Sequence, residues 1–336
     1  MVRCGKEGAF LPIRRSVQLF LSVPVIVAVM VTSGCRSRSA KSGLIPVRLQ
    51  TDWYPQPEHG GFYMAQAKGY YQQEGLDVTI LPGGPYTVPA QVVSTGGAEF
   101  AMGSSDHTLE AVSNGLPLLA VAATMQHDPQ AIMVHENSPV KRFEDLNGHT
   151  VALQPGSTWF KYLVKRYRLD RVREVPATFT IANFLTDPNY IQQIFVTSEP
   201  FFARKAGAPV RTFLISDTGF DPYRVLVTTG PYAKSHPDVV AKFVRASLRG
   251  WRDYLRDPAD AHAVIQRLNP AMNPELMAFS HDTLVNGHFV DGQSGAEIGK
   301  FDPARWAATH QQLTDLKVID KPIDPATAYT LEFLPK

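Results

Sequence analysis

Apolar and polar residues alternate from residue 47 to 53, in Val47-Arg48-Leu49-Gln50-Thr51-Asp52-Trp53. That period predicts a half-buried strand, and a Pro-rich loop over 54–58 ends it. A helix fits from about Gly61 to Glu74, with Gly75 placed to close it in the left-handed conformation. Residues 76–81 alternate again and stop at Pro82-Gly83-Gly84-Pro85. Strand, helix and strand in this order form a βαβ unit, which implies a parallel sheet.

The pattern continues. Helices are predicted over 88–95, 105–114 (stopped by Gly115) and 157–168. Strands are predicted over 99–102, 117–124, 131–134, 150–153, 194–196 and 225–228, with an extended piece at 177–180 and a turn over 143–148. From Ser235 onward the chain reads as mainly helical. Pro237 opens an amphipathic helix whose apolar face carries Val240, Phe243, Val244, Leu248, Trp251 and Leu255. Trp251 and Tyr254 fall at helical spacing and read as core or surface positions.

An open α/β sheet binds ligands beyond the carboxyl ends of its strands. The loops there run over 52–60, 82–86, 103–107, 125–129, 154–159, 197–202 and 217–220. They are rich in aromatic, hydroxyl, amide and acidic residues. The candidate ligand-binding residues are therefore Asp52, Trp53, His59, Tyr63, Tyr86, Ser104, Ser105, Asp106, Gln126, His127, Gly156, Ser157, Thr158, Trp159, Glu199 and Asp217.

The first residues change the picture of where the protein resides. Arg14 and Arg15 precede an apolar run over 19–31 that Ser22 and Pro24 interrupt. It is short for a membrane span and suits a secretory signal. It ends in Thr32-Ser33-Gly34-Cys35, which resembles a bacterial lipobox, with Thr32 in the place usually held by leucine. Residues 1–34 are expected to be a lipoprotein signal peptide, Cys35 the lipidated residue, and 35–44 a flexible tether. Cys4 and Cys35 are the chain's two cysteines, so residues 36–336 hold no disulfide, cysteine-ligated metal or cysteine nucleophile. Without residues 1–34 the chain keeps 302 residues, enough for two core-bearing domains or one with a deep cleft. A net charge of +2, with no basic block interleaved with aromatics, gives no reason to expect nucleic acid.

No Gly-x-Ser-x-Gly elbow, His-Glu-x-x-His pair, phosphate-binding loop or Gly-x-Gly-x-x-Gly occurs. His59, His107, His127 and His135 lack metal-ligand spacing, so no metal and no cofactor is expected. Glu199 and Asp217 have the chemistry of an acid and a base, but no nucleophile or oxyanion site stands beside them.

A family resemblance rests on named residues. The run Asp52-Trp53-Tyr54-Pro55-Gln56-Pro57-Glu58-His59-Gly60-Gly61-Phe62-Tyr63-Met64-Ala65 is followed by Lys68-Gly69-Tyr70-Tyr71 and Glu74-Gly75-Leu76-Asp77-Val78. It resembles the family uniting periplasmic binding proteins for thiamine-pyrimidine precursors with fungal pyrimidine synthases, and more broadly the sulfonate, taurine and nitrate binders. Residues 97–103, Asp145-Leu146-Asn147-Gly148, Thr197-Ser198-Glu199-Pro200 and His236-Pro237-Asp238 extend the resemblance, which spans roughly 45–260. It implies an α/β, two-lobed class II periplasmic-binding-protein fold, each lobe a mostly parallel sheet flanked by helices. By that analogy one lobe is 45–130 plus 225–336 and the other 131–224, with hinge crossings near 126–134 and 217–226. The cysteine-rich iron-site motif of the fungal synthases is missing here.

The resemblance implies an exported binding protein, expected to be monomeric, that presents a small molecule to an ABC permease and its ATPase. A membrane contact through the lipid anchor is expected as well. Trp53, Tyr63, Tyr86 and Trp159 offer faces for a planar ring. Asp52, Asp106, Glu199 and Asp217 offer acceptors, and the same loops hold few Lys or Arg. An aminopyrimidine related to thiamine fits that chemistry best, followed by a flavin-like ring. A sulfonate or nitrate would use the helix start at Gly156-Ser157-Thr158. A sensory binding module and an extracytoplasmic enzyme are the rival roles.

Overall fold

The computed structural model describes residues 43–335 apart from Phe179 and Pro322. The signal peptide, Cys35 and most of the tether expected from the sequence lie outside the described residues. Ten strands occur among those described: β1 (Ile45–Gln50), β2 (Leu76–Leu81), β3 (Phe100–Ser104), β4 (Leu118–Met125), β5 (Gln130–His135), β6 (Thr150–Leu153), β7 (Arg173–Pro176), β8 (Ile191–Phe195), β9 (Val210–Leu214) and β10 (Arg224–Thr229). They form two five-stranded sheets of order β2-β1-β3-β10-β4 and β7-β6-β8-β5-β9.

Strand direction follows from how the chain crosses between the sheets. β1 pairs in parallel with β2 and β3, whereas β10 is antiparallel to both β3 and β4. In the second sheet β6 pairs in parallel with β7 and β8, and β5 is antiparallel to β8 and β9. Four strands of each sheet thus run one way and one runs against them. The odd strands, β5 and β10, are those entered directly from the other sheet. The chain leaves β4 and β9 at their carboxyl ends, so the strand it enters begins where its neighbours finish. Both crossings therefore lie at the facing carboxyl edges, which is where such sheets hold ligands.

Local chemistry explains the elements. In β1, Val47 and Leu49 are buried while Arg48 points outward, as period-2 side chains must. Arg48 pairs with Glu99 at 2.6 Å. The helix expected over 61–74 is instead a 3₁₀ turn, Pro57–His59, then a helix Gly60–Ala67 and a short one, Tyr70–Gln73. The break falls at Gly69, whose φ of 70° takes it out of the helical region. The extended piece expected at 177–180 is displaced by β7, and β9 and a short helix, Ala182–Thr186, appear where no element was anticipated.

The long helix Pro237–Arg256 buries Val240, Phe243, Val244, Leu248 and Trp251 against the first sheet. Trp251 and Tyr254 are both core residues, each fully buried. A Cβ on Gly250 would stand 2.1 Å from the Gly61 carbonyl oxygen, so two helices cross here at backbone contact. A second apolar cluster runs continuously from the first sheet (Ala101, Ala123) to the second (Ile132, Val134) and on to Trp159, Phe220 and Trp306. Among the described residues no helix is long and apolar enough to cross a membrane.

Candidate functional site

At the facing edges a buried guanidinium collects carboxylates from three segments. Arg224 is the first residue of β10, and its side chain is only 13% exposed. It forms an ion pair with Asp52, just past β1, and lies 3.9 Å from Asp128 on the first crossing. Asp106 and Glu58 also act on it electrostatically. Asp52 in turn receives His59 Nε2 at 2.9 Å. Burial alone would raise the Asp52 carboxyl, but Arg224 and then His59 hold it well below the usual carboxylate range. Asp128 is pushed up by burial, against Arg224 and two hydrogen bonds from Gln130 at 2.9 and 3.3 Å.

The two crossings are tied to each other. The Asp128 N–H donates to Asp221 Oδ1 at 3.1 Å, and His127 Nδ1 lies 2.6 Å from Asp221 Oδ2. Arg305 donates to the carbonyl oxygens of Gln126 and Asp221 at 2.5 and 2.9 Å. Gln126 donates to the carbonyls of Glu297 and Lys300 at 2.7 and 3.0 Å. Its amide is thus committed to anchoring the first crossing. Ser105, opening the helix Ser105–Ser113, exchanges hydrogen bonds with Tyr223 at 2.9 and 3.0 Å.

A second contact joins the sheets at the ends of β1 and β8. The Thr197 hydroxyl donates to Glu58, and Ser280 Oγ donates to the Thr197 carbonyl at 2.6 Å. Burial pushes the nearby Glu199 carboxyl up to about 7, with Glu58 adding to the shift and the Phe195 N–H, at 2.9 Å, opposing it. Burial raises Glu58 too, against the hydrogen bond from Thr197.

The structure thus brings Asp52, His59 and Asp106 together around Arg224. Ser104 and Asp106 are buried at the end of β3, and Ser104 Oγ and Asp106 Oδ1 have no hydrogen-bond partner among the described residues. Such atoms cost stability until something pairs with them. Trp53 is half-buried, edge-on to Tyr54 with ring centroids 5.6 Å apart. Other expected residues are placed elsewhere. Tyr63 is 1% exposed in the core of the first sheet, and Tyr86 is 97% exposed. Trp159 and Thr158 are buried at the start of the helix Thr158–Tyr167, and Trp159 packs edge-on to Phe160 at 5.5 Å. Gly156 and Ser157 form the turn before it; Gly156 has φ 77°, and Ser157 Oγ donates to the Gln154 carbonyl at 2.6 Å. His127 and Asp217 line a cavity of about 750 Å³ beside the crossings.

Arg224, Asp128, Asp221, Glu58 and Thr197 were not singled out by the sequence. The scarcity of Arg in the strand-end loops is therefore misleading, because Arg224 stands just past the 217–220 loop and returns to the middle of the group. Among the described residues, no three His, Cys, Asp or Glu side chains are grouped to hold a metal ion.

Comparison with known proteins agrees with this architecture. The chain is 26% identical over 314 residues to the riboflavin-binding protein RibY of Chloroflexus aurantiacus, covering 88% of each chain. It is 25% identical over 259 residues to a formylaminopyrimidine-binding protein of Halalkalibacterium halodurans, covering 73% of this chain and 78% of that one. The alkanesulfonate-binding protein SsuA of Xanthomonas axonopodis pv. citri superposes with a TM-score of 0.62 at 15% identity, over 85% of this chain and 98% of that one. That likeness identifies the periplasmic-binding-protein fold. The family described as NMT1/THI5 like matches residues 56–261, and this chain belongs to it.

Proposed function

We propose that the protein is the exported, lipid-anchored solute-binding component of an ABC-type importer, holding a planar nitrogen heterocycle between its two sheets. An aminopyrimidine related to thiamine is the preferred ligand. The observation that carries this reading is the charge balance of the group at the facing edges. Asp52, Asp106 and Asp128 surround one guanidinium, Arg224, so acceptors outnumber fixed donors. Ring amino groups and N–H groups supply donors to buried carboxylates, whereas a sulfonate or nitrate would meet repulsion. Trp53 sits at the same edge, where a ring can stack on it; such contacts contribute about 0.5–1.5 kcal/mol beyond area burial.

The relatives support the same class. One is named for a formylated aminopyrimidine and another for riboflavin, and both molecules contain a flat ring with nitrogen donors and acceptors. The RibY match over 88% of each chain makes a flavin ring the second reading. A pyrimidine-forming enzyme is disfavoured because residues 36–336 contain no cysteine, and the resemblance to the fungal synthases would demand a cysteine motif.

Calorimetry on the purified full chain tests this, using formylaminopyrimidine, riboflavin, taurine and nitrate as separate titrants. Formylaminopyrimidine is expected to bind, with Trp53→Ala and Asp106→Asn each weakening it about tenfold. Riboflavin binding alone would select the second reading. Taurine or nitrate binding that both variants leave intact would overturn the assignment of a heterocycle to this site.

A further inference from the structure

The cavity of about 750 Å³ beside the crossings is a different place from the Asp52–Arg224 group. Its walls are His127 of the first crossing, Asp217 of the second, Leu214 at the end of β9, Phe279 and Asp282 of the helix Pro274–Asn286, and Phe289 beyond it. Asp221 forms the partition. It accepts from the Asp128 N–H and His127, and Asp128 faces Arg224 on the other side. None of Asp52, Trp53, Asp106 or Arg224 lines the cavity.

The lining combines apolar and acidic surfaces. Leu214, Phe279 and Phe289 supply the apolar wall, and no Lys or Arg lines the space. Asp221 already has Arg305 at 2.9 Å and His127 as partners. Asp217 has no ion pair or hydrogen bond among the described residues, and Asp282 has only His281, at 3.7 Å. The volume falls in the range of small-molecule sites. Two carboxylates without a strong partner, beside two phenyl rings, suit one kind of guest: the carboxylates attract positive charge, and ring faces attract cations as well.

We infer that this cavity is a second ligand site, for a small organic ammonium ion with an apolar body. Its walls come from both crossings, from the edge of the second sheet and from a helix that packs on the first. A bound guest therefore touches every segment that would move if the sheets rotated about the crossings.

The test is calorimetry of the purified full chain with 2-phenylethylammonium, 2-phenylethanol and 3-phenylpropionate. The ammonium ion is expected to bind saturably and the anion not at all, with the alcohol weaker than the ammonium. Asp217→Asn and Asp282→Asn, both at exposed positions, should each weaken the ammonium about threefold and leave the melting temperature unchanged. Equal binding of all three probes, no saturable binding, or full affinity in the Asp217→Asn/Asp282→Asn double variant would overturn the inference. Neither carboxylate belongs to the Asp52–Arg224 group, so this outcome is independent of heterocycle binding there.

Discussion

Arg224, at the start of the last strand to enter the first sheet, is ion-paired with Asp52, which lies 172 residues earlier at the end of the first strand. The pair joins the second crossing to the carboxyl edge of the first sheet. Because Asp128 is also within 3.9 Å, the guanidinium holds both crossings and β1 in one electrostatic group.

Removing that cation should be costly. Arg224→Met leaves Asp52 and Asp128 buried without their counter-charge, a change of about 3–5 kcal/mol in comparable settings. Urea unfolding should show a loss of that order at pH 7. The double variant Arg224→Met/Asp52→Leu should recover part of it, since one stranded carboxylate is then gone. Equal stability of wild type and Arg224→Met would show that water, not the guanidinium, compensates these carboxylates.

Glu199 and Asp52 should shift stability with pH in opposite senses. The folded Glu199 carboxyl titrates near 7, above its ordinary value of 4.5. Below that ordinary value it is neutral in both states and costs nothing. As pH rises towards 7 the unfolded chain ionises first, and the folded state loses on the order of 2–3 kcal/mol. Glu199→Gln should therefore match wild type at pH 4 and exceed it at pH 8. Asp52, held low, stabilises above the ordinary carboxylate range and loses that contribution in acid. Urea midpoints measured from pH 2 to 8 check both, Asp52 below pH 4 and Glu199 above it; a Glu199→Gln curve parallel to wild type would refute the Glu199 assignment.

The helix crossing at Gly250 and Gly61 makes a sharper packing prediction. Alanine is the better helix former by about 1 kcal/mol. Here its methyl would stand 2.1 Å from the Gly61 carbonyl and 2.8 Å from Ala65 Cβ. Separating the helices should outweigh the propensity gain and give Gly250→Ala a net loss of about 1–2 kcal/mol. A stabilised variant in thermal unfolding would mean that the helices separate without strain.

Much of the fold was legible because local rules agreed with it. Alternation marked β1 and β2, Gly75 and Gly115 closed their helical segments with φ of 79° and 88°, and the 3.6-residue stripe of the long helix is buried except at Leu255, which is half-buried. Failures came where tertiary context decides. Gly69 breaks a segment whose apolar pattern continues through it. β7 is an edge strand, Arg-Glu-Val-Pro, whose charges conceal it from a hydrophobic scan. The site shows the same division. Loops at strand ends pointed to Asp52, His59 and Asp106, but Arg224 has no local signal, since only the fold brings it to Asp52. Tyr63, one turn into a helix, shares the apolar face and is drawn into the core.

Cys35 lies outside the described residues, and fractionation tests its role. The Thr32-Ser33-Gly34-Cys35 run leads to the expectation that the thiol carries the lipid. Cys35→Ser should move the protein from the membrane pellet to the soluble fraction, and labelled fatty acid should mark wild type but not the variant. Unchanged membrane retention with no label in either protein would remove the anchor from the proposal.

The chain passes between the sheets twice, over residues 126–129 and 215–223, and Asp221 and Arg305 tie the two passages together. Two short crossings bound to each other are expected to act as one hinge, about which the sheets would rotate as units. Contacts that oppose opening include the Thr197–Glu58 hydrogen bond, the Ser280–Thr197 hydrogen bond at 2.6 Å, the Lys165 donation to the Asp315 carbonyl at 2.7 Å, the Phe201–Phe279 ring contact and the exposed Lys205–Glu275 pair. A hydrogen bond of this kind contributes about 0.5–1.5 kcal/mol and an exposed ion pair about 0–1 kcal/mol, so a ligand touching both edges can bias the equilibrium. Small-angle scattering should then show a smaller radius of gyration when the heterocycle saturates the protein. Thr197→Val removes the link to Glu58 and should enlarge the ligand-free radius while leaving the saturated one unchanged. Identical profiles with and without ligand, under calorimetrically demonstrated saturation, would establish that the sheets are already fixed and that binding occurs without closure.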